Sequence, residues 1–245
     1  MEIASDPRVL SAVPPAGPLL VLDTSTDRAA VVLASADGRL FEAPAGTSRQ
    51  HGRGLLPSMR GLLLDAGVRP GGLAAIGIGL GPGSFTGLRI GLTAAKTLAY
   101  AVGCPLFTFD SLEAIARNAP PEALRVVAVG DAQRGDLFAA DFARAELGGP
   151  LRRTLPTRLE RADFWPATLE GGTFVLGPPL GRAEPSWPSD VVRSDGLAGY
   201  PAGHRMIELV CEQMIRGQQV DPWFLEPEYA RGSAAEEKAE SAGRR

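Results

Sequence analysis

The side chains able to do chemistry in this 245-residue sequence fall at two strand ends and in one glycine-dense loop. Asp23, Thr24 and Ser25 close the apolar run Leu19–Leu22. A carboxylate and two hydroxyls there suit the rim of a nucleotide or metal cleft, and equally suit plain turn chemistry. Asp131 ends the run Arg125–Gly130 in the same way, with Arg134 and Asp136 just beyond it. In a two-lobed protein, such aspartates would face each other across a shared cleft. A phosphotransferase uses that arrangement to hold magnesium and activate a hydroxyl. The third candidate is the loop before a long helix, where Gly83, Ser84 and the amides through Thr86 could cradle an anion, or where the glycines could let another backbone or another chain approach closely.

Other chemistries are poorly served. Gly91-Leu-Thr-Ala-Ala-Lys96-Thr97 lacks the glycine that a phosphate-binding P-loop carries before its lysine, and it lies inside a helical pattern. A dinucleotide fingerprint fails because Ser84 stands where its last glycine is required. Ser84 is not in a nucleophile elbow. His51 and His204 are isolated and the cysteines Cys104 and Cys211 are far apart, so no metal-ligand spacing appears. Cys104, between Gly103 and Pro105, reads as a small buried thiol.

The elements that must hold these residues follow from pattern. Strand–turn–strand–turn–strand covers Leu19–Ala43. A helix from Thr47 or Ser48 to Ala66 has apolar positions over more than one stripe, and Pro57 places its regular part near that residue. A strand of small residues spans Leu73–Leu80, and a helix from Phe85 to Val102 stops at Gly103. That helix is apolar except for a stripe of Arg89, Thr93, Lys96 and Tyr100, the mark of a helix buried on two sides. The strand Pro105–Phe109 and a capped helix Leu112–Arg117 complete a first lobe, 19–117. Arg125–Phe142 repeats the strand–aspartate–turn–strand plan, opening a second lobe, 118–231. There Glu146–Trp165 is mixed, and Thr173–Leu176 and Asp190–Arg193 read as strands. A helix at 201–216 packs back on the first lobe, and Trp223–Arg231 reads as an extended aromatic segment. Residues 1–18 and 232–245 read as disordered extensions.

A 44% hydrophobic composition can build both cores, and the net charge of −3 gives no global field for nucleic acid. No apolar run reaches the roughly 18 residues of a membrane span. Glu2 and Asp6, with no basic cluster before an apolar stretch, argue against a signal peptide, so a cytoplasmic protein without membrane partners is expected.

Four segments occur together: Asp23-Thr-Ser-Thr26, Gly81-Pro-Gly-Ser-Phe-Thr-Gly-Leu-Arg-Ile-Gly91, Asp131-Ala-Gln-Arg-Gly-Asp-Leu-Phe138 and Pro227-Glu-Tyr-Ala-Arg231. In type and order they resemble the bacterial TsaB family, over roughly Leu19 to Arg231. The resemblance implies an α/β actin-like ATPase (ASKHA) fold, two lobes each with a mixed sheet and flanking helices, the second lobe reduced. It implies a role in making N6-threonylcarbamoyladenosine beside the tRNA anticodon. In that pathway a TsaD homologue carries the transferase site and a TsaE homologue is the ATPase. This chain would be a non-catalytic scaffold forming a heterodimer with TsaD and meeting tRNA through the complex. ATP and metal would sit on the partners, with no cofactor of its own. Family knowledge places the TsaD contact on the first-lobe helices, here Leu55, Met59, Leu62 and Leu63 on one, and Gly87, Ile90, Gly91, Ala94, Ala95 and Leu98 on the other. Their wide apolar faces fit that role, the small residues permitting close approach of another chain, and alone the same patch would support a homodimer. Asp23, Thr24, Ser25, Gly83, Ser84, Asp131, Arg134 and Asp136 would then be a vestigial phosphate cleft. The competing readings are an active phosphotransferase using Asp23 and Asp131, a metallo-glycoprotease-like protein, and a tRNA-binding module with a patch of Arg49, Arg53, Arg60, Arg134 and Arg231.

Overall fold

The computed structural model describes residues 17–43, 51–181, 187–194 and 196–226. The expectations for 1–16, for the helix start at 47–50 and for the segments from 227 onward lie outside the described residues.

The strands β1 (Leu19–Asp23), β2 (Ala30–Ala34) and β3 (Leu40–Ala43) form an antiparallel meander. Parallel strands β4 (Ala75–Gly79) and β5 (Leu106–Phe109) extend it on the β1 side, in the order β3-β2-β1-β4-β5. Helices α1 (His51–Asp65) and α2 (Phe85–Val102) cover one face of this sheet. α4 (Gly203–Ile215) covers the other. The uninterrupted apolar run of β1 follows from this sandwich. Leu20 and Leu22 join the core under α1 and α2, while Leu19 and Val21 join the core under α4.

The second sheet has the same layout. β6 (Arg125–Gln133) and β7 (Asp136–Ala143) are its hairpin, and β8 (Arg152–Arg153) and β9 (Arg158–Arg161) both pair with β7. Parallel strands β10 (Thr173–Leu176) and β11 (Val192–Ser194) extend it beside β6. β8 and β9 escape sequence reading because four of their six residues are arginines, with no apolar alternation. Where the first sheet has α1 and α2, the second has single 3-10 turns, Trp165–Thr168 and Pro178–Gly181. The helix after each sheet crosses to the other. α3 (Ser111–Ala116) buries Leu112 and Ile115 among Val126, Phe138 and Leu176 of the second sheet, and α4 returns to the first.

Two local expectations are corrected. The helix does not begin near Pro57, which lies inside α1. Proline has no N–H to offer the Arg53 carbonyl one turn back, but burial of Leu55 on that turn holds the helix together. The segment around Trp223 is not extended. Asp221 accepts a 2.9 Å hydrogen bond from the Trp223 N–H and makes a turn. Among the described residues no helix is long and apolar enough to cross a membrane.

Candidate functional site

The Asp23 and Asp131 turns are built alike. Asp23 accepts from the Ser25 N–H at 2.8 Å, and Asp131 from the Gln133 N–H at 2.7 Å, each the Asx geometry that short acidic side chains impose after a strand. Their surroundings differ. Asp23 is fully buried, and also accepts from the Ser25 hydroxyl at 2.6 Å and from Ser111 Oγ at 2.6 Å. Ser111 lies at the start of α3, so the carboxylate binds the β1–β2 turn to the element that leaves for the second lobe. Gly79 of β4 makes room for it, since an added Cβ there would overlap Asp23 Oδ2.

A cleft of about 250 Å³ opens between the two turns. Ser25, Asp27, Gly83, Ser84, Asp131 and Gln133 line it, with Leu112, Ile115 and Pro178 closing it. The structure thus brings together Ser25, Gly83, Ser84 and Asp131 of the expected cleft, but not the rest. Asp23 and Thr24 lie beneath its floor, fully buried. Asp136 sits at the start of β7, 3.7 Å from Arg161 of β9. Arg134 is exposed at the hairpin tip with φ +57°. The rim carboxylate beside Ser25 is Asp27, which the turn-forming run Thr24–Arg28 concealed. The volume falls below the roughly 300–1,000 Å³ of pockets that enclose small ligands. Among the described residues no three His, Cys, Asp or Glu side chains group as metal ligands.

The glycine loop is explained by what it touches. The Ser84 N–H donates to the Ser25 carbonyl at 2.6 Å, and Ser84 Oγ caps α2 by accepting from the Gly87 N–H at 3.1 Å. An added Cβ at Gly87 would overlap the Thr24 carbonyl, and one at Gly91 would overlap Thr24 Oγ1. These glycines let α2 press directly on the β1–β2 turn. Of the two close approaches that the glycines could permit, the one seen at Gly87 and Gly91 is to the backbone and side chain of Thr24 in this chain.

A second surface lies between α1 and α2. An apolar groove of about 590 Å³ has Leu55 and Met59 in its floor, Ile90, Ala94 and Leu98 along α2, and Leu56 at its edge. Leu56 is 61% exposed and Leu64, on the same helix, 69%. The ten helix residues expected at an interface thus divide. Leu55, Met59, Ile90, Ala94 and Leu98 face the groove, whereas Leu62, Leu63, Gly87, Gly91 and Ala95 are buried beneath the helices. This division accounts for the nearly all-apolar α2, with one side in the core and another lining the groove. Leu56 and Ala101 also line the groove and were not among the expected interface residues, because helical spacing alone does not say which apolar side meets the sheet.

The family model for TsaD, tRNA N6-adenosine threonylcarbamoyltransferase, matches residues 42–155. The tRNA threonylcarbamoyladenosine biosynthesis protein TsaB of Bacillus subtilis is 30% identical over 226 residues, which cover 90% of this chain and 96% of that protein. Its Escherichia coli counterpart is 29% identical over 230 residues, covering 90% and 97%. The solved structure of YeaZ from Pseudomonas aeruginosa superposes with a TM-score of 0.74 at 28% identity, over 87% of this chain and 99% of that one.

Proposed function

The chain belongs to the TsaB family, with an actin-like ATPase-type fold of two mixed sheets, and we propose that it serves tRNA threonylcarbamoyladenosine biosynthesis as a non-catalytic subunit that binds a TsaD homologue. The groove between α1 and α2 is the observation that carries the proposal. It is apolar, lies on the outer face of the first sheet, and is bordered by exposed Leu56. An uncovered apolar surface of this kind is what a protein partner buries. The small interlobe cleft and the sealed Asp23 support an accessory role over phosphoryl transfer by Asp23 and Asp131, since Asp23 has no path to a substrate. Transfer chemistry, with the ATP and metal it needs, would then reside on TsaD and TsaE homologues, and tRNA would be met through the assembly.

The test uses groove residues that the fold does not bury. Ala94→Arg and Leu98→Arg each place a cation in the groove from half-buried positions. Co-purification with the TsaD homologue should be lost while the thermal melting of the chain alone stays within a few degrees of the native value. A complex that survives both substitutions overturns the interface assignment. Unchanged tRNA threonylcarbamoyladenosine after deletion of the chain overturns the pathway assignment.

A further inference from the structure

A cleft of about 810 Å³ lies on the far side of the lobe junction, between α3, α4 and β8. Six arginines line it: Arg117 just after α3, Arg144 after β7, Arg152 and Arg153 in β8, and Arg205 and Arg216 in or just after α4. They face three lining glutamates, in a chain whose net charge is −3. The glutamates are already engaged. Arg117 holds Glu113 at 2.7 Å and Glu212 at 2.5 Å, and Arg205 holds Glu208 at 2.9 Å. Arg153 is paired from outside the cleft by Asp110 at 2.6 Å.

What remains is cationic. Arg144 has no carboxylate in its hydrogen bonds among the described residues and is fixed by the carbonyls of Ala119, Ala123 and Gly149 at 3.3, 2.7 and 3.1 Å. Burial, and then the charge of Arg205, hold Arg144 below the usual arginine range, with Glu122 opposing. Arg205 Nε is buried without a hydrogen-bond acceptor among the described residues. Exposed Arg152 makes no ion pair among the described residues. Guanidinium groups converging on one space with donors to spare suit a phosphate, whose oxygens accept paired N–H bonds. Among the described residues no aromatic side chain lines the cleft, so these offer a ligand contact with phosphate and no stacking platform for a base.

We propose that this arginine cleft is a phosphate-binding site, its ligand the backbone of an RNA or a free oligophosphate. The proposal is independent of the groove between α1 and α2 and of the partner that groove takes. It also moves any nucleic-acid contact away from the patch read from sequence. Of that patch, Arg53 and Arg60 are on α1 and Arg134 is at the β6–β7 tip, while Arg49 and Arg231 lie outside the described residues.

The test measures binding of sodium tripolyphosphate by calorimetry and of labelled bulk tRNA by anisotropy to the full chain, over a salt series. At least one probe should bind saturably, and Arg152→Gln/Arg205→Gln should weaken it by about tenfold or more. For tRNA, the slope of log affinity against log salt should fall by about 1.4–1.8 for the two lost contacts. Arg161→Gln, outside the cleft, should change neither. Binding of tRNA alone identifies an RNA backbone as the source, and binding of tripolyphosphate alone a free oligophosphate. If the double variant melts early, Arg152→Gln at its exposed position reads the same contact. Absence of saturable binding by both probes at low salt, or binding that the cleft variants leave unchanged, overturns the proposal.

Discussion

Asp23 and Asp131 occupy matching places in two sheets of the same layout, and each accepts the N–H two residues on. Around Asp23 the first lobe adds the Ser25 and Ser111 hydroxyls and the packed N-terminus of α2, leaving no exposure. Around Asp131 the second lobe has a bulged hairpin and a single 3-10 turn at Pro178–Gly181, and the carboxylate faces the cleft. One plan thus yields a structural carboxylate where long helices cover the sheet and a solvent-facing one where they do not. The same asymmetry means that, among the described residues, the second sheet has no pair of long helices like α1 and α2. An exposed apolar groove and a narrow cleft therefore have a common origin in where long helices cover the sheets.

The comparison breaks most readily at the aspartates. Asp23→Ala strands two hydroxyls and an N–H in the core, and hydrogen bonds to a charged acceptor are worth about 1.5–3 kcal/mol each. A loss of at least ~3 kcal/mol in urea unfolding is expected, against about 1 kcal/mol or less for Asp131→Ala. Equal losses would mean the two turns are equivalent after all. A smaller effect should come from Gly91→Ala, where the new methyl meets Thr24 Oγ1. Overpacking should cost about 1–3 kcal/mol. Thr24 Oγ1 has no hydrogen-bond partner among the described residues, so Thr24→Ala should relieve much of that cost in the double variant. Additive losses in that cycle would show that the close approach at α2 is not the source of the strain.

The smallest effect is expected where the crossing helices meet. Arg117, beside α3, ties Glu113 to Glu212 of α4. The hydrogen bond from Arg117, against the opposing effect of burial, holds the Glu212 carboxyl below its ordinary value of 4.5. A depressed folded-state value means that this stabilisation is present above pH 4.5 and is lost as the pH falls through and below it. Melting temperature should therefore drop more steeply on acidification for the native chain than for Glu212→Gln. Parallel profiles would show that the tie does not couple the lobes.

Much of the fold was legible because it is written in local signals. The αL glycine at Gly103 and the Ser84 cap bound α2 at Phe85–Val102, and Asp110 caps α3 by accepting from the Glu113 N–H. The repeat of strand, aspartate, turn and strand revealed two sheets on one plan. The site was less legible. Asp23 and Asp131 look alike in sequence because the Asx turn is local, and burial is not. The glycines of the α2 loop declared that something approaches closely, without naming Thr24 of the same chain as the neighbour.

The sequence by itself determined the periodicities, the caps and the turn chemistry, since these depend on residues within a few positions of each other. Only the tertiary structure decided which apolar side of α2 is core and which is surface, which aspartate is sealed, and that six arginines scattered from Arg117 to Arg216 share one cleft. Each of those outcomes depends on neighbours far apart in the chain, brought together when the helix after each sheet crosses to cover the other.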